Sequence, residues 1–178
     1  MAPRPSVFQV AYYVPDLAEA ATRWATTIGA GPFFVAAHHR ADRFTYRGTA
    51  VEADVSYAFG YSGDLQIQLI EQHDDLPSIY RELYPEVPTR GGFHHVAHLV
   101  DDYEGERQRL LDQGFDLACE LHANDIVACY FDTRDATGAF TELHSRTPRI
   151  VATFGRWRQA HEEWDGVTQP LRGHVSGT

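Results

Sequence analysis

Ten residues near the start of the chain recur in its second half, and that recurrence limits the fold more than any single motif does. Laid over one another, FQVAYYVPDL and HHVAHLVDDY pair Gln9 with His95, Val10 with Val96, Ala11 with Ala97, Val14 with Val100 and Asp16 with Asp102. The same order of elements follows each copy. In the first, Val7 to Val14 reads as a strand. Asp16 then caps a helix with Glu19 three residues on, Leu17, Ala20, Ala21, Trp24 and Ile28 recur at helical spacing, and Gly29 ends it. Three strands are expected next, over Phe33 to His39, Val51 to Tyr61 and Leu65 to Gln72, the last two joined by a Ser62-Gly63-Asp64 turn. In the second copy, Phe93 to Val100 is a strand and Asp101-Asp102 caps a helix to Gln113. Strands near Asp116 to His122, Ile126 to Asp132 and Ala139 to Ser145 complete it. The expected fold is α+β, two tandem βαβββ modules over 1–88 and 89–150. A short helical turn (Ile79 to Tyr84) lies in the linker between them. A tail over 151–178 carries a helix (Phe154 to Trp164) and a Gly-rich end from Gly173 that is expected to be disordered.

A chain of 178 residues can bury one core, or two small modules sharing one. Its formal charge of −10 argues against nucleic acid or an anionic membrane surface as partner, since binding phosphate takes concentrated Lys and Arg. No apolar run is long enough to span a bilayer, and Met1 to Ser6 passes into a strand without the apolar stretch of a secretory signal. A cytoplasmic protein that binds a small molecule is expected. Cys119 and Cys129 sit in strand-like runs and read as buried thiols rather than a disulfide.

The period-two alternation of a strand sorts polar side chains onto faces. If each helix covers the more apolar side of its strands, Gln9, Gln68, His95 and Glu142 share the opposite, concave side, one from each of four strands. One imidazole nitrogen and three oxygens suit a six-coordinate divalent ion better than a structural zinc site. His144, two residues past Glu142, is the auxiliary acid or base on the same face. Tyr13, Tyr57 and Phe59 are candidate walls of a substrate pocket, and His38 and His39 begin a polar loop expected to touch substrate. His94 and His98 read as structural histidines.

The strings FQVAYYVPDL, DLQIQLIE, GGFHHVAHLVDD and TGAFTELH resemble the four signature strands of the vicinal oxygen chelate superfamily, which includes glyoxalases and methylmalonyl-CoA epimerases. The resemblance runs from Val7 to Ser145. It implies two βαβββ modules curled into a half-open, cup-shaped barrel of the glyoxalase/bleomycin resistance type, with metal ligands on Gln9, Gln68, His95 and Glu142. Gln9 departs from the His of the epimerases and resembles animal-type glyoxalase I. Also implied are a divalent cofactor (Mn, Fe, Co, Ni, Mg or Zn), a small substrate with vicinal oxygens, and a homodimer. The expected chemistry is proton abstraction beside a carbonyl, as in an isomerase, epimerase or glyoxalase-like lyase, with Glu142 as both ligand and base. Two alternatives stay open: a metal-free, antibiotic-binding protein built on the same cup, and an extradiol-type dioxygenase, which would need a second histidine ligand.

Overall fold

The computed structural model describes residues 4–89 and 91–173, and no described helix is long and apolar enough to cross a membrane. The first copy of the repeat forms β1 (Val7–Tyr13), α1 (Leu17–Ile28), β2 (Phe33–His39), β3 (Arg43–Tyr46), β4 (Thr49–Ala50), β5 (Val55–Ser62) and β6 (Leu65–Gln72). After α2 (Ile79–Leu83), the second forms β7 (Gly92–Val100), α3 (Tyr103–Asp112), β8 (Asp116–Ala123), β9 (Ile126–Asp132), α4 (Arg134–Thr137) and β10 (Phe140–Ser145). The chain continues into α5 (Pro148–Glu162) and β11 (Leu171–Gly173).

All eleven strands among the described residues belong to one sheet, in the order β11-β2-β5-β6-β1-β7-β10-β9-β8-β3-β4, curled into a half-open cup. Within each copy the first and last strands are parallel neighbours, β1 with β6 and β7 with β10. The copies meet along the antiparallel β1–β7 seam, where Val10 lies opposite Val96. Those two are repeat equivalents, so a pseudo-twofold axis passes between them. Helices α1 and α3 each cover the outer face of their own half. Asp16 accepts from the Glu19 amide at 2.7 Å, Gly29 ends α1 in the left-handed region (φ 69), and Leu17 and Ala21 pack over Phe33, Ile67 and Leu69. Asp102 likewise accepts from the Gly105 amide at 3.0 Å, and Leu110 packs with Val100, Phe131 and Leu143.

The structure departs from the sequence reading at the edges of the repeats. The third expected strand begins at Val55 rather than Val51. The segment before it forms β3 and β4, and β3 crosses to pair with β8 of the other half, Thr45 opposite Glu120. Helix α5 starts six residues earlier than expected, because Thr147 accepts from the Ile150 amide at 3.2 Å and Pro148 occupies the first turn, where its missing N–H costs nothing. Its apolar face docks on its own cup, with Trp157 stacked on Phe34 and Phe59. The tail also returns to the sheet, β11 pairing in parallel with β2. Of the Gly-rich end, only Gly173 is described; 174–178 and Met1 to Pro3 lie outside the described residues.

Candidate functional site

Directly opposite residues in a ladder project to the same face. Ala11 lies opposite both Gln68 and His95, while Ala97 lies opposite both Glu142 and Gln9. Four polar side chains thus surround two buried alanines at the middle of the seam, on the inner face of the cup. A methyl at each centre leaves room that a larger residue would fill. Gln9, Gln68, His95 and Glu142 are all buried, with exposures of 3, 4, 0 and 4%.

Burial of polar groups demands partners, and here several are missing. Gln68 Oε1, His95 Nε2 and Glu142 Oε2 are buried without a hydrogen bond among the described residues. His95 Nε2 and Glu142 Oε2 approach to 3.0 Å, yet the geometry is not that of a hydrogen bond. Nor is this a settled ion pair. Burial pushes the His95 imidazolium down to about 3 and the Glu142 carboxyl up to about 7. Neighbouring His144, a Tyr130 hydrogen bond and His98 offset part of the burial at Glu142. Gln9 is oriented from behind: its Nε2 donates to Gln66 Oε1 at 2.5 Å, and Gln66 Nε2 donates to the Tyr61 hydroxyl at 3.0 Å, which turns the Gln9 amide oxygen away from Gln66. Three orphaned donor atoms and one pre-oriented amide therefore fit a cation. Among the described residues there is no group of three or more His, Cys, Asp and Glu able to hold a metal. The present set contains only one His and one Glu, with amide oxygens for the rest, which points to a hard divalent ion with added water or substrate oxygens rather than to structural zinc.

A cavity of about 440 Å³ opens above this layer. Gln9, Gln68 and Glu142 form its floor, and His39, Tyr57, Phe59 and His144 stand on its walls. His144 is held by a hydrogen-bond contact between Nδ1 and the Ser145 carbonyl at 2.9 Å. The burial pattern of β10 leaves it half-buried, above Glu142 on the same face. Smaller depressions along α1 and beside Arg146 contain none of these residues.

Tyr13, expected as a wall, and His38, expected in a loop touching substrate, lie outside this cavity. Tyr13 is buried 6.1 Å from Tyr80 and 5.9 Å from Tyr84, ring centre to ring centre, where α2 plugs the barrel on the other side of the polar layer. His38 is turned away by an irregularity in the β2–β5 ladder between Ala36 and His39. It takes φ 46 and places Nδ1 2.8 Å from Asp54, while His39 stays in the cavity against Tyr57. The sequence reading also missed parts of the site. Tyr130 lies opposite Glu142 in the β9–β10 ladder and lines the cavity; its position in an alternating strand beside that of Glu142 was the available signal. The outer wall comes from α5, through Ile150, Phe154 and Trp157, with Arg149 and Arg156 at the rim. No periodicity within the repeats could reveal a wall supplied by a segment outside them.

Comparison with known proteins agrees with this architecture. The model of the Glyoxalase/Bleomycin resistance protein/Dioxygenase superfamily matches residues 8–130. None of the curated proteins matches the chain. Among solved structures, methylmalonyl-CoA epimerase from Mycobacterium tuberculosis is 20% identical, covers 85% of this chain and 97% of its own, and superposes with a TM-score of 0.60. A hypothetical protein from Bacillus halodurans is 15% identical over 82% of this chain and 96% of that one, also at 0.60. A single-residue variant of Streptomyces coelicolor methylmalonyl-CoA epimerase, in complex with 2-nitronate-propionyl-CoA, is 17% identical, with coverages of 81% and 96% and a TM-score of 0.56. At these identities the likeness is one of fold.

Proposed function

Because the chain belongs to the glyoxalase/bleomycin resistance/dioxygenase superfamily, we propose that it is a metal-dependent enzyme moving a proton at a carbon next to a carbonyl. Its substrate is a small molecule with adjacent oxygens. The observation that carries this reading is the convergence of Gln68 Oε1, His95 Nε2 and Glu142 Oε2, buried and unpartnered, beneath a cavity large enough for such a substrate. Gln9, Gln68, His95 and Glu142 would hold a divalent ion, which when bound supplies Lewis-acid polarisation of the substrate oxygens and so raises the acidity of the adjacent carbon.

The remaining chemistry falls to side chains. Glu142 receives the proton, as the carboxylate on the cavity floor beside the space a substrate would fill. Tyr130 orients it from the neighbouring strand. His144, on the same face, returns the proton or passes it to water. Tyr57, Phe59 and Trp157 line the cavity and exclude water around the reacting carbon. The epimerase neighbours support an acyl thioester with an acidic α-carbon as the first substrate class to try. A homodimer remains part of the proposal on family grounds alone, since the aromatic face of α5 is used within the chain.

The aromatic wall also suits a metal-free binding protein, and metal analysis separates the two. Purified without chelator and supplemented with Mn, Co or Ni, the protein should hold close to one equivalent; less than about a tenth would overturn the enzyme reading. Glu142→Gln keeps an oxygen donor but cannot take the proton. It should retain metal and lose at least ~10²-fold in turnover, together with exchange of the substrate's carbon-bound hydrogen in deuterated solvent. A metal-loaded variant as active as wild type would leave Glu142 a ligand only.

A further inference from the structure

Along the seam, His95 pairs with Ala11 and Phe93 pairs with Tyr12, so β7 carries one residue too many between them. That residue is His94. In a regular strand His94 and His95 would project to opposite faces, but a bulge re-aims the extra side chain. Here it brings the rings together. His94 Nδ1 lies 2.9 Å from His95 Nδ1, and His94 Nε2 lies 3.1 Å from the Ile79 carbonyl oxygen. Both rings are fully buried, and His94 stacks on Phe140 with ring centres 5.1 Å apart.

These contacts fix where each hydrogen sits. A carbonyl oxygen can only accept, so His94 Nε2 must carry the hydrogen it donates to Ile79. His94 is fully buried, with its two nitrogens against a carbonyl oxygen and a second imidazole rather than a carboxylate, so its ring is neutral and has one N–H. Its Nδ1 is then a bare acceptor. The close approach of the two Nδ1 atoms requires a hydrogen on one of them, and only His95 is left to supply it. With its single hydrogen on Nδ1, neutral His95 has a lone pair on Nε2, the atom that stands unpartnered beside Glu142.

We propose that His94 and the Ile79 carbonyl form a relay that locks His95 into its Nδ1–H tautomer and so keeps Nε2 free to bind metal. His94 is thus a positioning residue. Without the relay, His95 could place its hydrogen on Nε2, the atom 3.0 Å from Glu142 Oε2, and so lose the lone pair that faces the other candidate ligands. The carbonyl is itself held firmly by both halves of the molecule. Ser78 caps α2, accepting from the Tyr80 and Arg81 amides, and donates to Gln72 Oε1 at 2.6 Å in the first half. Glu82, one turn on, is bound by Arg47 from the first half and Arg134 from the second.

The use of the lock rests on the proposed metal centre, but the lock itself is a property of the protein alone, so the two can fail separately. Long-range 15N–1H NMR on histidine-labelled, chelator-treated full chain near neutral pH should show His95 protonated at Nδ1 and bare at Nε2, with His94 the reverse. A hydrogen on His95 Nε2 would overturn the relay whether or not the protein binds metal. His94→Phe keeps an aromatic ring on Phe140 and removes the acceptor. It should shift His95 toward Nε2–H and weaken Mn2+ binding, read by calorimetry, about 10–100-fold, with His94→Gln recovering part of the loss through its amide oxygen. Unchanged Mn2+ affinity in a folded His94→Phe protein would refute the proposal; if that variant does not fold, the wild-type tautomer measurement decides alone. Wild type that shows the Nδ1–H tautomer yet binds no metal would sink the enzyme reading and leave the lock standing.

Discussion

The carboxyl of Glu142 should make the metal-free protein less stable as the pH rises, and replacing it should remove that slope. Burial moves this group from its ordinary 4.5 to about 7 in the folded chain, an interval that at roughly 1.36 kcal/mol per pH unit amounts to about 3 kcal/mol. The sign follows from which state holds the proton more tightly. Below about 4.5 the group is protonated in both states and contributes no penalty. Between the two values the folded chain keeps a proton that the unfolded chain has released, so stability falls as the pH climbs. Above about 7 both are ionised and the full cost of a buried charge is present. Glu142→Gln does not titrate there, and groups common to both proteins largely cancel in the comparison. In urea denaturation with chelator present, the variant's stability minus that of wild type should increase by about 3 kcal/mol between pH 4.5 and pH 8, the scale set by the same displacement. Mn2+ at saturating concentration should reverse the order at high pH, because an ion that binds the folded state favours the carboxylate more than the amide. A difference independent of pH, or one that shrinks as the pH rises, would refute the reasoning.

Two further outcomes can be checked. His95→Ala or Glu142→Ala should each abolish stoichiometric Mn2+ binding, whereas Gln9→Ala should weaken it only in part, because a neutral amide is the weaker donor; calorimetry on folded variants decides. Trp157→Ala should cost about 3–5 kcal/mol and open the cavity beside Phe59, since the indole is buried in stacked contact with Phe34 and Phe59 at 5.7 and 5.1 Å; a loss under about 1 kcal/mol in chemical denaturation would mean that α5 is not a packed wall.

What the sequence disclosed was what the repeat and the strand period carry. Matching Gln9 to His95 across the repeat, and sorting Gln68 and Glu142 by strand alternation, located four side chains that the ladders place on one face. Strand β2 and strand β6 were bounded as read, because Gly-rich or polar turns flank their apolar runs. The misreadings share a physical origin: simple alternation fails wherever a strand is irregular. The break after Ala36 sends His38 outward, and the extra residue at His94 brings a histidine read as merely structural against the candidate ligand His95. Long-range closure was also invisible. Nothing local in Arg43 to Tyr46 says that it pairs with β8, and nothing in Ile150 to Trp157 says that it walls a cavity built by the repeats.

The bulge itself is part of the repeat, which explains how two equivalent halves came to hold their ligands differently. On β1 the extra residue falls between Val7 and Gln9, at Phe8, and the repeat pairs Phe8 with His94. Each candidate ligand on the seam is therefore preceded by a bulged residue, and each has a cross-strand neighbour on its parallel partner, Gln66 for Gln9 and Phe140 for His95. In the first half the bulged residue is apolar, stacked on Phe154 of α5, and the polar neighbour Gln66 orients the ligand amide. In the second half the neighbour is apolar, and the bulged His94 does the orienting. The exchange follows from the needs of the ligands. An amide in the Gln9 position needs its NH2 end occupied so that its oxygen is left over, which an acceptor such as Gln66 Oε1 accomplishes. An imidazole in the His95 position needs its near nitrogen to keep a hydrogen, which takes an acceptor behind Nδ1, and the bulge is the place that reaches it. The first half thus contributes two neutral amides, and the second contributes the imidazole and the only carboxylate among the four. A dication held by that set keeps a net positive charge, the condition under which it can still polarise a substrate oxygen.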